Sequence, residues 1–109
     1  MKPIFDLNEW PDAQAVECEG EVEGIASSIV LCKTNDGYAA YLNVCPHAGR
    51  RLDWAPGQFL VSAEKNLVCA AHGASFEMGK GECVAGPCRG ESLLPVPIRI
   101  EDNHVFLES

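Results

Sequence analysis

Cys45-Pro46-His47-Ala48-Gly49 and Cys69-Ala70-Ala71-His72-Gly73 decide the reading of this chain. The first has the pattern Cys-x-His, the second Cys-x-x-His, and each ends in glycine. Two of the three histidines therefore stand close to cysteines. A lone cysteine is most often a small buried hydrophobe, and a lone histidine most often a surface or hydrogen-bonded residue. Two units that each bring one sulfur and one nitrogen donor onto a single loop are better explained by a shared metal site. Its ligands would be Cys45, His47, Cys69 and His72.

Zinc accepts two cysteines and two histidines in a tetrahedron. Zinc fingers, however, usually group both cysteines in one knuckle and both histidines in another. Here each knuckle is mixed. Mixed knuckles suit a binuclear iron site, in which the cysteines take one iron, the histidines take the other, and two sulfides bridge them. A zinc-stabilised structural or interaction module stands as the alternative from a different class.

Outward from these loops the pattern is one of short strands. Ile25–Thr34 and Tyr38–Val44 flank Asn35-Asp36-Gly37 and read as a hairpin with its turn at Asp36-Gly37. Val96–Glu101 and His104–Leu107 flank Asp102-Asn103 in the same way. Ser75–Glu77 and Glu82–Val84 flank Gly79-Lys80-Gly81, and Leu67–Cys69 is a short apolar strand leading into the second ligand loop. Glu17, Glu19, Glu21 and Glu23 alternate, as on a solvated strand face. Glycine and proline interrupt the region from residue 45 to 88, which reads as loops on a β scaffold. No long segment has helical periodicity. The expectation is one all-β domain over residues 1–109.

With these residues in place, the chain resembles Rieske proteins. The likeness is greatest to the small Rieske-type ferredoxins that feed bacterial ring-hydroxylating dioxygenases, and it extends to the small subunit of NADH-dependent nitrite reductase. Cys45, His47, Gly49 and Leu52 match the first cluster loop; Cys69, His72, Gly73 and Phe76 match the second; Gly81 and Gly86-Pro87 match a third loop that covers the cluster. The resemblance implies an antiparallel β base domain with a cluster-binding subdomain over about residues 44–88. It also implies one Rieske-type 2Fe–2S cluster held by the four ligands above.

Departures from the family carry information too. High-potential members join the two cluster loops by a disulfide, but the matching positions here are Arg50 and Ala71. The loops must then be held by the metal, by backbone bonds and by packing, with Leu52, Trp54 and Phe76 as candidates. High-potential members also place serine and tyrosine hydroxyls near the cluster sulfurs. Ala74 and Phe76 stand there instead, which implies a low potential. Arg50, Arg51 and Arg89 act in the opposite sense, reduced by solvent screening. Cys18 and Cys32 read as core thiols and His104 as an exposed structural residue. Cys83 and Cys88 read as free thiols, with a disulfide under oxidation as the alternative.

Function follows from what the cluster can do and what the chain lacks. Such a centre passes one electron at a time. Only His104 remains for a second iron, so the mononuclear site of an oxygenase cannot be built. No dinucleotide fingerprint or phosphate-cradling loop is present, and no independent substrate turnover is expected. The resemblance implies an electron carrier between a flavin-dependent reductase and a terminal oxygenase, or an electron-transfer subunit of a larger reductase such as nitrite reductase. The formal net charge of −8, without clustered Lys and Arg, speaks against nucleic acid and favours a partner with a positive patch. No apolar run is long enough to cross a membrane, and the start of the chain lacks a signal peptide's apolar stretch. A cytoplasmic protein is the default expectation.

Overall fold

The structure, a computed structural model, describes residues 2–35, 37–46, 49–69, 73–87 and 90–108. Its strands are β1 (Phe5–Asp6), β2 (Ala15–Val22), β3 (Ile25–Thr34), β4 (Gly37–Leu42), β5 (Leu60–Val61), β6 (Asn66–Val68), β7 (Ser75–Glu77), β8 (Cys83–Ala85), β9 (Ile98–Glu101) and β10 (His104–Leu107). One 3-10 turn, Leu7–Glu9, follows β1. Asp6 caps that turn through a hydrogen bond from the Asn8 amide. The all-β expectation holds. Among the described residues no helix is long and apolar enough to cross a membrane.

Three antiparallel sheets form, in the orders β2-β3-β4, β1-β10-β9 and β5-β6-β7-β8. The β2-β3-β4 sheet is covered on both faces. Val30, Cys32 and Tyr41 enter a core shared with Leu67, Phe76 and Leu93. Ile29, Leu31 and Ala40 enter a second core with Val105 and Val96. This explains the unbroken apolar run Ile29-Val30-Leu31-Cys32, all of it fully buried. A strand packed on both sides loses the alternation of a half-exposed one.

The hairpins form where turn chemistry permits. Glu23-Gly24 and Asp102-Asn103 have positive φ at both central positions, the geometry of the two-residue turns that match strand twist. Gly37 pairs with Thr34, so the β3–β4 turn sits one residue earlier than expected; position 36 lies outside the described residues. β9 starts at Ile98, not Val96. The Val96 amide donates instead to the Ala40 carbonyl at 2.8 Å, and Pro97 has no amide to offer a ladder. The segment around Pro95 thereby closes the β4 edge. Among the described residues no strand pairs with the opposite edge, β2, which carries exposed Glu19 and Glu21.

Cys18 and Cys32 are buried thiols, as expected. Burial pushes both up to about 12, so neither forms a thiolate at neutral pH. Leu31→Ala should lower the unfolding free energy by about 2–5 kcal/mol. Ile25→Ala, at a side chain 68% exposed, should stay within about 0.5 kcal/mol of the parent. Denaturant titration of the two variants separates these outcomes.

Candidate metal centre

The two cysteine loops close in the same way. The Cys45 amide donates to the Arg50 carbonyl (2.6 Å), and the Gly49 amide donates back to the Cys45 carbonyl (2.8 Å). The Cys69 amide donates to the Ala74 carbonyl (2.7 Å), and the Gly73 amide to the Cys69 carbonyl (2.9 Å). Gly49 and Gly73 have φ of 66° and 74°, in the left-handed region where a Cβ is penalised. One glycine-dependent frame is therefore used twice, with a cysteine at the same place in each copy.

Cys45 and Cys69 are completely buried and belong to one core with Leu52, Leu67, Ala74 and Phe76. The structure places both of these predicted ligands in the same core. The other two, His47 and His72, lie outside the described residues, as does Arg89. Two buried thiols in an apolar wall, each a few residues from an imidazole in sequence, fit a group that takes sulfur on its inner side and nitrogen on its outer side. Ala74 and Phe76 give that wall no hydroxyl.

The third loop presses on this region. A Cβ built on Gly86 would meet the Ala74 Cα and the Gly73 carbonyl oxygen at 3.0 Å each. Those backbone atoms would have to give by a few tenths of an ångström to admit a side chain, and Gly86 also has φ of 89°. β8 holds the loop's base through pairings Ser75↔Ala85 and Phe76↔Cys83 across an irregular step. Cys83 is disulfide-bonded, which corrects the free-thiol expectation for it. Cys88, the other subject of that expectation, lies outside the described residues.

A polar network, missed in the sequence, ties the first loop to the base. Asn43, 1% exposed, accepts from the Leu52 amide (3.0 Å) and donates to Ser28 Oγ (3.1 Å). Ser28 Oγ donates to Glu17 Oε2 (2.5 Å). Arg51 bridges Glu17 (2.6 Å) and Asp53 (2.8 Å). Asp53 also accepts from the Gly57 amide (3.1 Å). Glu17 is therefore a bonded member of β2 and not merely part of a solvated face. Arg51 is neutralised by two carboxylates, beyond the solvent screening expected for it. Trp54 is 60% exposed and does not pack the loop, unlike Leu52 and Phe76. The 53–58 turn, closed by Trp54 N–H to Gln58 O at 2.9 Å, directs Asp53 inward and leaves Trp54 outside.

Burial of the Asp53 side chain, 2% exposed, raises its pKa. Hydrogen bonds from Arg51, the Gly57 amide and Asn43 outweigh that and leave it below the ordinary carboxylate value. The remaining histidine, His104, sets Nδ1 2.8 Å from the Asp102 carbonyl oxygen and Nε2 3.7 Å from Asp6. It serves the β1–β10 pairing, in keeping with a structural role.

A family model described as Rieske [2Fe-2S] domain matches residues 7–100. No curated protein matches the chain. Among solved structures, the chain is similar to the ferredoxin of carbazole 1,9a-dioxygenase from Nocardioides aromaticivorans IC177, with 19% identity, TM-score 0.74, and coverage of 97% of this chain and 94% of that one. It is also similar to the Sphingomonas yanoikuyae B1 ferredoxin, with 20% identity, TM-score 0.71, and coverage of 99% and 97%. The terminal oxygenase of carbazole 1,9a-dioxygenase from Novosphingobium sp. KA1 gives 21% identity and TM-score 0.75 over 97% of this chain, but only 28% of that one. At these identities the likeness is one of fold.

The depressed Asp53 pKa has a sign that can be measured. Its stabilisation is present above the unfolded value, near 4, and is lost as pH falls through its own lower value. Asp53→Asn should therefore be less stable than the parent at neutral pH, and the gap should close in acid. Denaturant midpoints collected from about pH 2 to pH 7 check this; a gap independent of pH would remove Asp53's charge from the network.

Proposed function

Since the chain belongs to the Rieske [2Fe-2S] domain family, we propose that it carries single electrons from a flavin-dependent reductase to a terminal oxygenase in the cytoplasm. The family brings a Rieske-type 2Fe–2S cluster, which supplies reversible one-electron exchange. We assign Cys45 and Cys69 as its sulfur ligands and His47 and His72 as its nitrogen ligands. The observation that carries this reading is the doubled loop frame, which buries both cysteines in one core next to the two Cys-to-His spacings. In this reading residues 44–88 form the cluster-binding subdomain of a single domain over 1–109.

The role of the chain's own residues is to hold, insulate and expose. Leu52, Leu67 and Phe76 exclude water from the cysteine side. The Asn43 network fixes the first loop, and Gly86 lets the third loop close on the second. His47 and His72, on the outer side, form the docking tip in this proposal. The surplus of carboxylates elsewhere orients the carrier towards a positively charged partner. Ala74 and Phe76 donate no hydrogen bond towards the sulfurs, and Arg51 is neutralised by Glu17 and Asp53, so both features favour a low potential.

The reduced protein should give a Rieske-type electron paramagnetic resonance spectrum, and His72→Ala should abolish it. A full-strength signal in that variant would remove His72 from the ligand set. A colourless protein holding one zinc would overturn the reading altogether. The midpoint potential should lie below roughly 0 mV, in the lower part of the Rieske range; potentiometry returning a value well above +100 mV would show that the missing hydroxyls do not set it. Added to a reductase and oxygenase that lack their carrier, the protein should restore NADH-dependent turnover.

A further inference from the structure

β2 and β3 continue as a two-stranded ribbon past the end of β4. The last β3–β4 pair is Ile29↔Leu42, and the Asn43 amide adds one bond to the Ser28 carbonyl (3.0 Å). The β2–β3 ladder runs on through Gly20↔Ser27 and Glu21↔Ala26 to Val22↔Ile25. This is the end of β4 from which the chain enters Cys45, so the ribbon stands beside the first cysteine loop. Pleat alternation gives the ribbon two faces. Val16, Cys18 and Val22 enter the second core, and a Cβ on Gly20 would meet the side chains of Leu107, Ile29 and Ile4. That face is packed against the β1-β10-β9 sheet. The other face carries Glu17, Glu19 and Glu21 and is covered only as far as Glu17. There Arg51 and Ser28 donate to the Glu17 carboxylate, and the 53–58 turn comes up at Gly57, whose Cβ would lie 3.9 Å from Glu17 Oε1. Beyond that point Glu19, Glu21 and Ala26 are exposed.

The turn that stops at Glu17 also presents Trp54, 60% exposed. A large aromatic side chain left in water is the residue type that anchors protein interfaces, and a polar rim around it sets which partner fits. Here the rim is acidic. Glu19 and Glu21 make no ion pair among the described residues, and the Arg51 guanidinium is already held by Glu17 and Asp53. We propose that Trp54 and the Glu19–Glu21 face of the ribbon form a docking surface for a redox partner whose own surface carries Lys and Arg around an apolar hollow. The carboxylates draw that partner in and set its orientation, and the Trp54 ring fills the hollow. The Glu17–Arg51–Asp53 bonds fix ribbon and turn relative to each other. The Leu52–Asn43 bond fixes both relative to the first cysteine loop, so a partner seated here lies along the flank of that loop. A sheet face that is uncovered just where it adjoins the proposed cluster loop, and charged against its own copies, fits a protein that exchanges partners.

The proposal rests on the electron-carrier reading above. The probe is oxidised mitochondrial cytochrome c, a basic one-electron haem protein, mixed with the reduced, cluster-loaded chain in a stopped-flow instrument. Glu19→Lys/Glu21→Lys should lower the second-order rate constant about ten-fold at low ionic strength, and salt should erase the difference. Glu19→Gln/Glu21→Gln should lower it about three-fold. Trp54→Ala should lower it about five-fold with or without salt. Asp12 and Glu64 are exposed carboxylates lining a cleft with Lys33, Thr34 and Asn35, at the opposite end of β3 and β4. Asp12→Lys/Glu64→Lys makes the same change in net charge there and should leave the rate within about two-fold of the parent. Each variant should keep the parent's midpoint potential and paramagnetic resonance spectrum. A ribbon variant as fast as the parent, an Asp12/Glu64 variant as slow as the ribbon variant, or a Trp54→Ala variant at the parent rate would each overturn the docking surface. A parent protein without a Rieske signal would instead overturn the carrier reading, which separates the two failures.

Discussion

The hydrogen bond from the Leu52 amide to the Asn43 side chain is the joint on which the metal-centre half of the molecule turns. Asn43 stands just past β4, on a sheet whose two faces are both packed. A polar side chain there is buried on every side and must be satisfied internally. It is satisfied by the first ligand loop on one side and by Ser28 on the other, and the chain of bonds continues to Glu17, Arg51 and Asp53. The family's high-potential members cross-link their two cluster loops directly. Here the first loop is instead bonded back to the base, while the second is pinned by the loop from β8. Each cluster loop thus has its own anchor.

How much of this can be read from residues alone depends on the range of the interaction. The three expected hairpins depend on neighbours in sequence, and β3, β7 and β10 start and end at the expected residues. The two cysteine loops also close within themselves, which is why their spacing was informative. Ser28 and Asn43 lie inside predicted strands, and nothing local marks them or Asp53 as bonded partners, because their partners lie on other elements. Trp54 looked like core because its size suggests burial, yet Asp53 took the inward position through charge-assisted bonds from Arg51. The two-residue strands β1 and β5 are too short to show any period. β9 lost its first residues to competition from β4, a contest that no local pattern records.

The wall around Cys45 and Cys69, the proposed sulfur ligands, is apolar for the same reason the first core is stable. Phe76 and Ala74 contribute burial where high-potential relatives place hydroxyl donors. A single choice therefore favours packing and withholds stabilisation from added negative charge. The nearby guanidinium of Arg51 does not compensate, since two carboxylates already claim it. In the proposed reading, fold stability and redox tuning are linked through the same few side chains.

Among the described residues β2 is the unpaired margin of its sheet. An open strand border invites a second chain to zip alongside it. Glu19 and Glu21 project from this border, so a like copy approaching it would line up carboxylate against carboxylate. The two carboxylates thereby discourage self-association along this border, using residues that contribute nothing to either core.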